Sequence, residues 1–169
     1  MNKNSLKSVA TEVINLEINA LKILKKSINK NFDKAVNTIV NCQSKIILCG
    51  VGKSGLIAAK IASTLSSVGS PAFSLSANDC LHGDLGSITK KDILILISNS
   101  GKSEEIIPII KFANRNKIKL IGIVSKKNSF LYKGSDIKIL LPEVKESGLG
   151  VVPTSSTSIQ LAIGDALAV

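Results

Sequence analysis

The chain has 169 residues, enough for one domain with a full hydrophobic core. Apolar residues are plentiful and aromatics scarce, and the wealth of Ile, Leu, Val and Ala suits an α/β layer fold. The formal charge is +10, yet Arg115 is the only arginine and the lysines are scattered, with no basic recognition helix. Arginine is the usual reader of guanine edges, so the charge points to an anionic small molecule and away from nucleic acid.

In chain order, residues 4–28 read as a helix. Leu6, Val9, Val13, Leu16, Ala20, Leu24 and Ile28 step by three and four, while Ile14, Ile18 and Ile23 fall outside that stripe. A helix apolar on more than one side is buried on more than one side, which in a small domain points to a subunit interface. A second helix is expected at about 30–42. The run KIILC (45–49) is a buried strand, followed by a helix over 54–69 closed by Gly69. PAFSL (71–75) is strand-like, and DILILIS (92–98) is too apolar for an exposed edge. Residues 103–116 form a helix with an acidic first turn, and Pro108 sits awkwardly inside it. IKLIGIV (118–124) and DIKILL (136–141) are two more strands, and 155–169 a last helix. Strands alternating with helices, each a continuous apolar run, mean a five-stranded parallel sheet in a three-layer α/β/α sandwich. Its ligands bind beyond the carboxyl ends of the strands.

No apolar run approaches the ~18 residues of a membrane span. Glu12 and Glu17 stand where a signal peptide needs an apolar block. Cys42, Cys49 and Cys80 have no C-x-x-C spacing, which excludes a disulfide framework and points to a reducing, cytoplasmic setting.

The stretch ILCGVGKSGLIAAK (47–60) mimics two phosphate motifs. A P-loop needs a glycine five residues before Gly52, where Ile47 stands inside the strand, and DILILISNS supplies no Walker-B acid. Gly50, Gly52 and Gly55 meet the dinucleotide fingerprint, but the acid expected at the end of the next strand is missing; Asp79 lies past it. A tight strand-to-helix turn explains the three glycines, though not Lys53 and Ser54 at a helix start. The loop SNSGKSEE (98–105) places Ser98, Ser100 and Ser103 at another helix start, an anion site. PTSSTS (153–158) is a third hydroxyl-rich loop that opens a helix. One N-cap needs one hydroxyl, so three such loops on one rim point to a phosphorylated, polyhydroxylated ligand.

The motifs GVGKSG, HGDLG (82–86), SNSGKSEEI (98–106) and PTSSTS…GDALAV (153–169) resemble the sugar isomerase (SIS) domain, and more narrowly the arabinose-5-phosphate isomerases of the Kdo/lipopolysaccharide pathway. The resemblance spans the whole chain. It implies a flavodoxin-like SIS sandwich over residues 1–169, with N-terminal helices over about 1–42, assembled as a homotetramer. It implies interconversion of D-ribulose 5-phosphate and D-arabinose 5-phosphate through an enediol, which needs a base, charge stabilisation and no redox cofactor. By motif position Lys53, Glu105 and Glu146 match active-site residues of the family. Lys53 would stabilise the enediolate or steer the substrate, and either glutamate could be the base, Glu146 leading. His82, the single histidine, would aid ring opening or proton transfer. Gly52, Ser54, Ser98, Asn99, Ser100, Ser103, Thr154, Ser155 and Ser156 would hold the sugar phosphate. No metal is required; the resemblance allows an inhibitory zinc ion at His82, with Cys80 nearby. It also makes CMP-Kdo, the downstream nucleotide sugar, a conceivable feedback ligand.

Lys102 departs from the family pattern, which commonly has Glu there, and so does the segment before PTSST, which lacks ACPL. Relatives continue to an HPGG segment with a catalytic histidine, and many carry a tandem CBS pair; neither falls within these 169 residues. The competing readings are a SIS isomerase for another sugar phosphate and a non-catalytic sugar-phosphate-binding SIS module.

Overall fold

In the computed structural model, residues 5–148 and 150–169 are described. Two helices come first. α1 (Leu6–Ser27) is capped by the Ser5 hydroxyl, which accepts from the Ser8 N–H at 3.2 Å, and α2 (Lys30–Val40) by Asn29, which accepts from Asn31 N–H at 2.9 Å. The chain then runs β1 (Ile46–Gly50), α3 (Lys53–Ser67), β2 (Ala72–Ser76), α4 (Ala77–Leu81), a 3-10 turn (Asp84–Ser87) and β3 (Ile93–Ser98). It ends with α5 (Ile106–Arg115), β4 (Lys119–Val124), α6 (Phe130–Gly134), β5 (Ile137–Leu140) and α7 (Ser155–Ala168).

The five strands form one parallel sheet in the order β2-β1-β3-β4-β5. Alternate residues feed two cores, as the period-two pleat requires. Ile46, Leu48, Ile93, Ile95 and Ile97 pack with α1, α2, α3 and α7; Ile47, Cys49, Leu94 and Leu96 pack with α4, α5 and α6. The three-layer α/β/α sandwich read from the sequence is therefore the fold. β1, β3 and β4 are buried on both faces, apart from exposed Lys119. β2 is not the continuous buried run expected of every strand: it lies at the sheet edge and leaves Phe73 exposed.

Pro108 is accommodated because α5 starts at Ile106, not at residue 103. The proline is third in the helix, where its missing N–H would have had no intrahelical partner. Glu104 and Glu105 accordingly precede the helix, with Glu105 at the N-cap.

At the amino end of the sheet, buried Asp92 ties β3 to the start of β1. It accepts from Ser44 Oγ at 2.6 Å, Lys45 Nζ at 3.1 Å and Thr89 N–H at 2.7 Å. Burial by itself would raise this carboxyl, but the hydrogen bonds from Ser44, Thr89 and Lys45 outweigh it and hold it at about 2.

Helix α1 lays Ala20 and Leu24 into the core and leaves Leu6, Val9, Ile14 and Ile18 exposed. No helix among the described residues is long and apolar enough to cross a membrane.

Candidate active site

In this strand order the chain leaves β1 toward one side of the sheet and β3 toward the other, so a crevice opens between their carboxyl ends. Three segments meet there. The first is the β1–α3 turn. A Cβ on Gly50 would lie 2.8 Å from the Ser54 carbonyl carbon and oxygen, so only glycine lets α3 start this close to its strand. Lys53 is the first helical residue, with its side chain exposed. Next to it, Ser54 Oγ donates to Gln160 Oε1 at 3.2 Å.

The second is the β3–α5 loop. Ser98 Oγ accepts from Gly101 N–H at 3.0 Å and Ser100 Oγ accepts from Lys102 N–H at 3.3 Å. Both hydroxyl protons stay available for an anion. Gly101 turns the loop at φ 62°, with Ser129 and Val124 against the place a Cβ would take. Asn99 is fixed from the side, its Oδ1 accepting from Ser125 Oγ at 2.7 Å.

The third is the N-terminus of α7. Thr154 is its N-cap but makes no side-chain capping bond. Glu146 supplies the cap instead. Its carboxylate accepts from Thr154 N–H at 2.8 Å, Thr154 Oγ1 at 3.1 Å and Ser156 N–H at 3.3 Å. Burial pushes this carboxyl up, but the bonds from Ser156 and Thr154 prevail and hold it below the usual carboxylate range. Ser155, next in the helix, is fully buried and its hydroxyl has no partner among the described residues.

The crevice is a cleft of about 190 Å³. Its walls bring together Lys53, Ser54, Asn99 and Ser156 of the residues expected from the sequence. Glu146 stands one hydrogen bond behind Ser156. Gly52 and Ser100 line adjoining clefts. Ser98 lies buried at the end of β3 and Ser103 is half-buried before α5. Thr154 and Ser155 shape the helix start without lining the cleft, and Glu105, half-buried, is not on its wall. His82 is exposed at the C-cap of α4, beyond edge strand β2, and is not on the wall either.

Cys80 and His82 differ in setting, His82 being exposed and Cys80 buried. Cys80 lies in the core against Cys49; their hydrogen bond lowers the Cys80 thiol and, with burial, raises that of Cys49. Among the described residues no group of three or more His, Cys, Asp or Glu could hold a metal ion.

Thr157, within the hydroxyl-rich PTSSTS loop, also lines the cleft, as does Gln160, which was not expected from the sequence. The signal was present for Gln160. Ser156 and Gln160 are four residues apart on one helix face, and Gln160 is buried between Ile159 and Ile163 in the sequence of an apolar helix.

The SIS domain family model matches residues 39–169, and the chain belongs to that family. It is 43% identical to the arabinose 5-phosphate isomerase KdsD of Yersinia pestis, over 94% of this chain and 48% of that protein. The solved structure of an E. coli CFT073 protein in complex with arabinose 5-phosphate superposes with a TM-score of 0.93 at 34% identity, covering 99% of this chain and 90% of that one. A putative sugar-phosphate isomerase from Listeria monocytogenes gives 0.94 at 30% identity, covering 99% and 89%. The chain spans about half the length of the curated relatives it matches.

Proposed function

We propose that the chain is the isomerase domain of an arabinose-5-phosphate isomerase, interconverting D-ribulose 5-phosphate and D-arabinose 5-phosphate at the entry to Kdo and lipopolysaccharide synthesis. The observation that carries the reading is the convergence of Lys53, Ser54, Asn99 and Ser156 on one cleft, with an ionised carboxylate directly behind it. The family membership and the structural neighbour solved with arabinose 5-phosphate support it.

The substrate phosphate docks on the 98–103 loop, accepting hydrogen bonds from the hydroxyls of Ser98, Ser100 and Ser103. The sugar chain then extends toward the β1–α3 turn. Glu146 moves the proton between C1 and C2, and its lowered pKa keeps it ionised and ready at neutral pH. The Lys53 ammonium faces the enediolate oxygen that develops as the proton leaves. Ser54, Thr154, Ser155 and Ser156 position hydroxyls of the sugar or the helix that carries them. Glu105 is the alternative base: its carboxylate makes no hydrogen bond or ion pair among the described residues, whereas that of Glu146 also serves the helix. The exposed apolar residues of α1 support assembly with further copies of the chain.

The test is proton NMR of ribulose 5-phosphate incubated with the chain in heavy water. Arabinose 5-phosphate carrying deuterium at C2 supports the reading; a bound substrate that never exchanges its proton refutes it. Glu146→Gln is expected to stop exchange with binding retained. Exchange that survives in Glu146→Gln and is lost in Glu105→Gln moves the base to Glu105.

A further inference from the structure

A second cleft opens beyond the carboxyl ends of β4 and β5, on the far side of Asn99 from the sugar cleft. It encloses about 520 Å³, well inside the ~300–1,000 Å³ range of small-molecule sites. The Asn99–Ser125 hydrogen bond is the partition, since Asn99 lines one cleft and Ser125 the other.

Lys102, Lys126 and Lys127 line this cleft, and Glu143 is its one acidic residue. Lys126 pairs with Glu143 at 2.6 Å, while Lys102 and Lys127 make no ion pair among the described residues. Two uncompensated ammonium groups therefore face one concavity, where low-dielectric walls concentrate their field. A donor without a protein acceptor accompanies them, the Asn128 amide. Leu140, Leu141 and Pro142 give the cleft an apolar floor. Lysines serving only solubility gain nothing from sharing a concavity, whereas an anion resting on that floor would meet charge and hydrogen-bond donors together.

We propose that this cleft is a second anion site, taking the phosphate or carboxylate group of a small metabolite beside the phosphate loop. Ser100 belongs to both the loop and the cleft, so an occupant here touches the loop assigned to the substrate phosphate; that consequence rests on the isomerase reading, but the site itself does not. The ligand is either a separate metabolite or the far anionic end of one molecule that spans both clefts.

The experiment is a titration with inorganic phosphate at constant ionic strength, followed by backbone amide NMR of the deuterated protein in its native assembly. The expected result is that the amides of Lys126, Lys127 and Asn128 shift along their own saturation curve, distinct from that of Ser98, Asn99 and Ser103, the loop residues that do not line this cleft. Lys127→Glu should weaken the first curve by roughly tenfold, because charge reversal turns one attraction into a repulsion, and should leave the second within about twofold. No shift at 126–128 while Ser98, Asn99 and Ser103 saturate overturns the proposal, and so does a curve at 126–128 that Lys127→Glu leaves unchanged. Loss of turnover by the wild-type chain would sink the isomerase reading without touching either curve. A sugar bisphosphate that binds about tenfold tighter than its monophosphate in wild type, and equally in Lys127→Glu, assigns the site to one spanning ligand. Equal affinity in wild type assigns it to a separate metabolite.

Discussion

Replacing Glu146 with alanine removes the acceptor for three donors at the start of α7: Thr154 N–H, Thr154 Oγ1 and Ser156 N–H. Glu146 acts as a capping group supplied from outside the helix, because Thr154 makes no capping bond of its own. Loss of an N-cap costs about 1–2 kcal/mol, and a charged, half-buried acceptor belongs at the upper end of that range. For a chain of this length the cost lowers Tm by roughly 2–8 °C. Glu146→Gln keeps one carbonyl acceptor for Thr154 N–H and should lose about half as much.

The pH dependence has a definite sign. The folded carboxyl lies below its ordinary value, so its contribution is fully present above the unfolded carboxylate pKa and fades as pH falls through the lower folded one. The assay is denaturant unfolding of wild type and Glu146→Ala at neutral pH and at several acidic values. The gap between the two proteins should be widest near neutrality and close in acid. Equal stability at neutral pH, or a gap that persists unchanged into acid, refutes the capping argument. It would also remove the reason for regarding the carboxylate as held ionised.

Three further outcomes follow from the same structure. Lys53→Ala should lower kcat by about 100-fold or more with the unfolding midpoint unchanged, since an exposed side chain leaves no cavity; steady-state kinetics and a denaturation curve decide it, and near-normal kcat removes Lys53 from the chemistry. Gly50→Ala drives a Cβ against the Ser54 backbone at 2.8 Å and should cost roughly 2–3 kcal/mol; a loss no larger than a surface change gives, roughly 0.5 kcal/mol, contradicts the close approach. Asp92→Asn should cost roughly 2 kcal/mol, read from a carboxyl lowered from 3.8 to about 2. The wild-type advantage should be present above the unfolded carboxylate pKa and vanish as pH falls through about 2, which acid titration of both proteins measures.

What the sequence revealed and what it hid divide along the range of the forces involved. β1, β3 and β4 were legible because a strand buried on both faces is a continuous apolar run. The caps of α1 and α2 lie beside the helices they serve. The five-residue helices α4 and α6 have no room for a period, and the Ser76 and Ser129 caps that start them look like ordinary loop serines. Cys49 and Cys80 stand in no motif, and only the parallel pairing of β1 with β2, which leads into α4, brings them together. The candidate site splits in the same way. Lys53, Ser54 and Asn99 follow strand ends, so strand alternation alone places them on the rim.

Glu146 is the harder case. A local capping box joins residues three apart, whereas Glu146 reaches Thr154 across eight positions, and nothing in the spacing announces the bond. Motif matching identified the residue without its partners, and the partners decide its chemistry. A carboxylate that holds a helix start is fixed in place and fixed in charge. Both properties suit a group that must meet one carbon atom at one angle, at the cost of the basicity that its hydrogen bonds consume. Turnover in Glu146→Gln weighs these two consequences against each other, because amide replacement spares much of the geometry and removes the basicity entirely.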